Sequence, residues 1–187
     1  LSVAFAALHS ARVSLRRVEA ADAGAISGYR SLPEVARFQS WTAFDADTAA
    51  RMIADQAALA ADTPGTWFQL VIVRRDTEVI IGDLALHFLA EDDRQVEIGI
   101  NLAPDQQRQG YAAEAIGLAL AYVFGTLGKH RVFAVTDAEN AAAAQLFHRL
   151  GFRREGHFIE NIRFKGAYGS EYLFAMLARE WIGRERR

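Results

Sequence analysis

Between residues 97 and 114 the chain reads Glu-Ile-Gly-Ile-Asn-Leu-Ala-Pro-Asp-Gln-Gln-Arg-Gln-Gly-Tyr-Ala-Ala-Glu, an order of residue types suited to holding an anion. A strand ending at Leu102 leads into a polar turn, and a helix begins near Gly110 with the small residues Ala112 and Ala113. The first N–H groups of a helix have no internal partner, and the aligned peptide dipoles favour negative charge at that end. Gly110 and Ala112 remove side-chain bulk, so a pyrophosphate can approach those N–H groups, and Arg108 can add a charge-assisted hydrogen bond. The same residues also suit an ordinary strand–turn–helix connection. Neither G-x-G-x-x-G nor G-K-S/T is present, so the turn carries neither the dinucleotide fingerprint nor the Walker loop.

Other chemistries find little support. The chain has no cysteine, which removes disulfides, thiolate metal ligands and a thiol nucleophile, and fits a reducing cytosol. Its five histidines are scattered without metal-site spacing, so no metal is expected. No G-x-S-x-G elbow offers a serine nucleophile.

The elements that must position the turn can be read from periodicity. The 187 residues are 51% hydrophobic and 24% charged, the balance of one folded domain. A formal net charge of −2 provides no general basic field for nucleic acid. The opening Leu1 to Leu8 is mildly apolar but much shorter than the roughly 20 residues of a membrane span. Residues 1–12 are therefore expected to form a weakly ordered extension, with the domain proper at 13–182, in the cytoplasm and off the membrane.

Val13 to Val18 alternates as a strand, Ala20 to Arg30 reads as a helix, and Asp45 to Ala60 as a second helix capped by Asp45 or Asp47. Trp67 to Arg74, Val79 to Leu89 and Gln95 to Leu102 predict three strands in an antiparallel meander. The pattern then changes: helix from Gly110 to Phe124, strand from Arg131 to Thr136, helix from Asn140 to Leu150, strand from Phe152 to Phe158, and a closing strand from Glu171 to Leu177. Strands followed by β-α-β-α-β imply an α/β fold with a mixed sheet and helices on its faces.

In this setting Gln107-Arg-Gln-Gly110-Tyr-Ala112 resembles the Q/R-x-x-G-x-G/A signature of the GNAT N-acetyltransferases. Glu97 to Ile100 resembles that family's fourth strand, and Asn140 to Phe152, ending in Leu-Gly-Phe, resembles its later motif. Arg154-Glu-Gly-His157, Lys165-Gly166 and Glu171 to Trp181 resemble the tail of the RimJ/RimL-like branch. The resemblance runs from about Val13 to Trp181. It implies a single twisted mixed sheet of about six to seven strands, parted near its middle to admit acetyl-CoA.

By that resemblance, main chain around Ile100, Asn101 and Leu102 receives the acetyl group and pantetheine arm. The turn Gln107, Arg108, Gln109, Gly110, Tyr111 and Ala112 holds the pyrophosphate. Asn140 meets the pantetheine amides, or caps its helix, or does both. Two departures stand out. Ala143 occupies a position that is often Ser, and Phe147 stands where many members have a Tyr that protonates the departing thiolate. A tyrosine acid at that position is ruled out.

The reaction implied is transfer of an acetyl group to a primary amine by direct attack, which requires a base to take the ammonium proton. Glu97 is the first candidate, with a structural carboxylate as the alternative. Asp83 and His87 follow, because strand alternation puts them on one face and an imidazole titrates near neutrality. Phe38 and Trp41, with Phe44, are placed as an acceptor wall or as a plain core cluster. His148 is expected in solvent, and no motif supports His157 or Glu160. The RimJ/RimL likeness suggests a protein N-terminal α-amine as acceptor; a small amine, an amino acid or an aminoglycoside-type compound is the alternative, and a non-catalytic acyl-CoA-binding module the rival of another class. A homodimer is expected by analogy.

Overall fold

The strands expected from alternation form one sheet in the computed structural model, which describes residues 5–185. In chain order they are β1 (Leu8–His9), β2 (Val13–Arg17), β3 (Thr66–Arg74), β4 (Ile80–Phe88), β5 (Gln95–Leu102), β6 (Arg131–Asp137), β7 (Arg153–Phe164) and β8 (Ala167–Leu177). The helices are α1 (Ala23–Arg30), α2 (Pro33–Ala36), α3 (Ala46–Gln56), α4 (Tyr111–Leu120), α5 (Ala141–Arg149) and α6 (Ala178–Glu185). Strand order is β1-β2-β3-β4-β5-β6-β8-β7, eight strands rather than six to seven. The β5–β6 pair is parallel, and the other neighbours are antiparallel.

Two of the differences from the sequence reading have clear causes. Of the segment 1–12, expected to be weakly ordered, residues 1–4 lie outside the described residues, while Leu8–His9 forms β1 and Phe5 packs edge-on against Phe68 and Tyr122 at 5.3 and 5.1 Å. Apolar contact, rather than any local pattern, draws this segment onto the sheet. Residues 159–164, expected outside the strands, extend β7 into a long hairpin that turns at 165–166 and pairs with β8 through two irregularities of register. Glu160 and Lys165, both with positive φ, interrupt the alternation that marks a strand in sequence. The hairpin tip returns to the body of the domain, where the Lys165 ammonium donates to the Ala36 carbonyl.

Layering follows from burial. Ile81 through Leu86 are all buried, so β4 must be covered on both faces. One face carries the larger core, including Leu70, Ile72, Leu84, Leu86, Ile98, Ile116, Leu120 and Phe147. The other face packs Val71 and Val73 against Ile26, Tyr29, Phe44, Ala49 and Ile53. Asp45 caps α3 by accepting from the Thr48 amide at 2.8 Å, as its residue type implied. After Leu120 the α4 helix widens into a π-helical segment, Ala121–Thr126, that completes the helix expected to end near Phe124. Gly82 is required by close approach: a Cβ there would lie 2.2 Å from the Asn101 carbonyl oxygen.

Candidate active site

The site begins where two strands part. Strands β5 and β6 pair only through Gln95, Val96 and Glu97, opposite Arg131, Val132 and Phe133. Beyond those residues β5 continues with β4 and β6 continues with β8, so a gap opens in the middle of the sheet. A cleft of about 430 Å³ occupies it. On one side α5 presents Asn140, Ala143 and Phe147, spaced three and four residues apart on one helical face. On the other side lie Gln69, Asp83, Glu97 and Asn101 from the strands and Phe38 and Trp41 from the loop after α2.

At the far end of β5 the turn has the features expected for an anion. Gly110 is the N-cap of α4 in the left-handed region, φ +87°, where a side chain is strained. The Glu114 amide makes the first helical bond, to Gly110 oxygen. Among the described residues, the backbone amides from Arg108 to Ala113 have no hydrogen-bond acceptor. Six unpaired N–H groups at a helix start form a positive cradle with no protein partner, which fits a pyrophosphate.

The turn's side chains serve another purpose. Gln107 Nε2 donates to the Leu102 carbonyl at 3.1 Å and Gln109 Nε2 to the Asp105 carbonyl at 2.8 Å, so both amides brace the loop. Tyr111 is buried between the guanidinium groups of Arg12 and Arg74, 4.8 and 5.6 Å from its ring. Arg12 also donates to Glu114 and to the Gln109 carbonyl, tying β2's approach to the start of α4. A Cβ on Gly110 would sit 3.0 Å from Arg12 Nη2. Gly110→Val should therefore fold with a displaced turn, and acetyl-CoA affinity should drop about tenfold or more, the equivalent of ~1.4 kcal/mol of turn strain. Calorimetric titration checks this, and unchanged affinity in the folded variant would remove the turn from the cofactor site.

The acid–base candidates separate clearly. Asp83 is buried, and its carboxylate accepts from Arg30 Nε (3.0 Å), Arg30 Nη2 (2.6 Å), the Tyr29 hydroxyl (2.5 Å) and Asn101 Nδ2 (3.1 Å). Four donors occupy its lone-pair sites, so Asp83 is a structural carboxylate and not a free base. It correspondingly pushes the Tyr29 hydroxyl pKa upward, though burial is the larger cause. The Arg30 guanidinium in turn lies against the adjoining rings of Trp41 and Phe44, each centroid 4.7 Å from its central carbon.

Glu97 is different. It is partly buried, lines the cleft, and has the His87 imidazole as its nearest side-chain partner among the described residues. Burial pushes its carboxyl above the ordinary value; nearby His87 opposes that push and Glu171 adds to it. His87 Nδ1 stands 3.5 Å from Glu97 Oε2, longer than a formed hydrogen bond.

Several cleft residues were not singled out from sequence. Gln69 interrupts the apolar run of β3, and that interruption was a usable signal. Thr136 and Val135 looked like ordinary strand residues and reach the cleft only because β6 leaves β5. Asn140 accepts from the Ala143 amide at 3.1 Å as an N-cap, and it also lines the cleft. Phe147 is buried, edge-on to Phe152 at 5.1 Å and stacked near Phe174 at 5.9 Å. His148, His157 and Glu160 are exposed and stand outside the cleft lining. No group of three or more metal-binding side chains occurs among the described residues, and no described helix is long and apolar enough to cross a membrane.

Comparison with known proteins agrees with this geometry. Residues 12–153 match the model of the acetyltransferase (GNAT) domain. The N-acetyltransferase YoaA of Bacillus subtilis is 35% identical over 153 residues, covering 81% of this chain and 85% of that protein. A spermidine N-acetyltransferase from Vibrio cholerae, solved with CoA and spermine, has a similar fold with a TM-score of 0.80 at 22% identity, covering 92% of this chain and 99% of that one. The ribosomal-protein-S5-alanine acetyltransferase of Vibrio fischeri has a TM-score of 0.81 at 18% identity, covering 95% and 99%.

Proposed function

The chain belongs to the GNAT acetyltransferase family, and from that premise we propose that it acetylates a protein N-terminal α-amine, with Glu97 as the base. As a family member it is an acetyl-CoA-dependent N-acetyltransferase, and acetyl-CoA supplies an acetyl group activated as a thioester. The observation that carries the assignment of the base is the placement of Glu97: a carboxylate whose one facing side-chain donor among the described residues is the His87 imidazole at 3.5 Å, at the point where β5 and β6 separate.

Each residue's part follows from its place. The free amides of 108–113 hold phosphate oxygens, and the unpaired edge of β5 from Ile98 to Leu102 offers main-chain groups to the pantetheine arm. Asn140 can cap α5 through its oxygen and donate through its nitrogen. Glu97 removes the ammonium proton, leaving an amine able to attack. A donor to the acetyl oxygen would come from main chain near Ile100 to Leu102. Phe147 supplies no proton to the leaving thiolate. The aromatic side chains Phe38, Trp41 and Trp67 line the acceptor side, where they can exclude water.

The N-terminal α-amine is favoured by likeness to the RimJ/RimL branch and to the ribosomal-protein acetyltransferase fold. A small polyamine is the second reading, because Asp137 also lines the cleft and Glu171 acts on Glu97 electrostatically. A cytoplasmic location belongs to the same proposal. Peptides with free N-termini should exceed spermidine in kcat/KM by at least about tenfold, ~1.4 kcal/mol of barrier, when CoA release is measured. The reverse ranking would favour the polyamine.

A further inference from the structure

Three neighbouring strands place Trp67, His87 and Glu97 in one row across the sheet, with Trp67 opposite His87 and His87 opposite Glu97. The Trp67 ring lies nearly flat on the imidazole, with centroids 4.6 Å apart and planes 12° from parallel. His87 Nδ1 is buried, makes no hydrogen bond among the described residues, and faces Glu97 Oε2 at 3.5 Å. An unpaired buried ring nitrogen is unfavourable unless some state of the protein satisfies it. Here the facing group is a carboxylate that takes up a proton in the reaction.

We propose that His87 is a positioning residue acting through Glu97: it receives on Nδ1 the proton that Glu97 takes from the acceptor, returning Glu97 to its anionic form. This rests on Glu97 being the base. The transfer balances. One ammonium proton passes to Glu97 and then to His87, making an imidazolium beside a carboxylate. The neutral amine forms the new bond to the acetyl carbon, the carbon–sulfur bond breaks, and the second nitrogen proton leaves with the thiolate. Trp67 from β3 fixes the plane of the ring and carries no charge. Glu97 faces His87 from β5, and Glu171 from β8 acts on Glu97. His87 keeps about a quarter of its side chain exposed, a route by which the proton reaches solvent.

Stacking makes Trp67 a reporter, since an imidazolium against an indole quenches its fluorescence. The wild-type signal minus that of Trp67→Phe isolates Trp67 from Trp41 and Trp181. Titrating the free protein should show quenching as His87 protonates. In Glu97→Gln the pH dependence of that quenching should change, because the carboxylate facing Nδ1 at 3.5 Å is gone. In His87→Asn, kcat should fall by about 10²-fold and the acid limb of kcat/KM should move to higher pH, because the imidazole no longer opposes the burial that raises the Glu97 carboxyl. A purely structural His87 would leave that limb in place, and such a result overturns the relay. Full turnover in Glu97→Gln overturns the base and the relay together. Lost turnover in that variant with an unmoved fluorescence midpoint overturns the relay alone.

Discussion

Asp83→Ala is expected to destabilise the fold by about 3–5 kcal/mol, read as a lower urea midpoint with little change in slope. The side chains of Asp83 and Arg30 are only 2% and 6% exposed, so removing the carboxylate strands a guanidinium out of water. It also strands the Tyr29 hydroxyl and the Asn101 amide, both of which donate to the same group. A double replacement of Asp83 and Arg30 by apolar residues should recover much of the loss, because the penalty lies in the unpaired charge rather than in any large gain from the pair. Loss of less than about 1 kcal/mol, the value of an exposed pair, would show that water reaches the cluster. The network also has a functional reach. Asn101 lies at the end of β5 beside the gap, while Arg30 holds Trp41 on the acceptor side by stacking and through its carbonyl, which accepts from Trp41 Nε1 at 3.1 Å. One buried carboxylate thus joins the end of β5 to the aromatic segment after α2.

Glu97→Gln should lower kcat by about 10²–10⁴-fold while acetyl-CoA affinity stays within about twofold, the pattern of a lost proton transfer rather than lost binding. The change preserves shape and leaves the turn at Gly110 untouched. The wild-type pH profile should show the sign of the burial. Because Glu97 must be ionised to accept a proton and burial raises its pKa, activity should be lost as pH falls at a higher pH than an ordinary carboxylate would give. An unchanged rate and profile in Glu97→Gln would remove it as the base.

The division between what could be read locally and what could not follows from how each feature is encoded. The sequence by itself determined the run of elements from Val13 to Leu150, because alternation, a capping Asp45 and a glycine at a helix start are patterns of near neighbours. It also pointed to the turn at 107–112 as an anion site, because the chemistry proposed for it belongs to backbone amides that a strand–turn–helix leaves unpaired whatever surrounds it. The missing thiolate donor was legible in the same way, since a phenyl ring at 147 has no proton in any fold. The acid–base roles were different. Glu97 came first and Asp83 and His87 next while only their strands were known, but strand alternation says which face a side chain takes and nothing of what it meets there. Tertiary structure brought Arg30, Tyr29 and Asn101 to Asp83 and left Glu97 facing an imidazole at 3.5 Å. It also decided that β5 and β6 part after three paired residues, which turns Thr136 and Val135 from sheet residues into cleft wall. Such partnerships join residues up to about 50 positions apart, and their energies depend on burial and distance, neither of which a linear pattern contains.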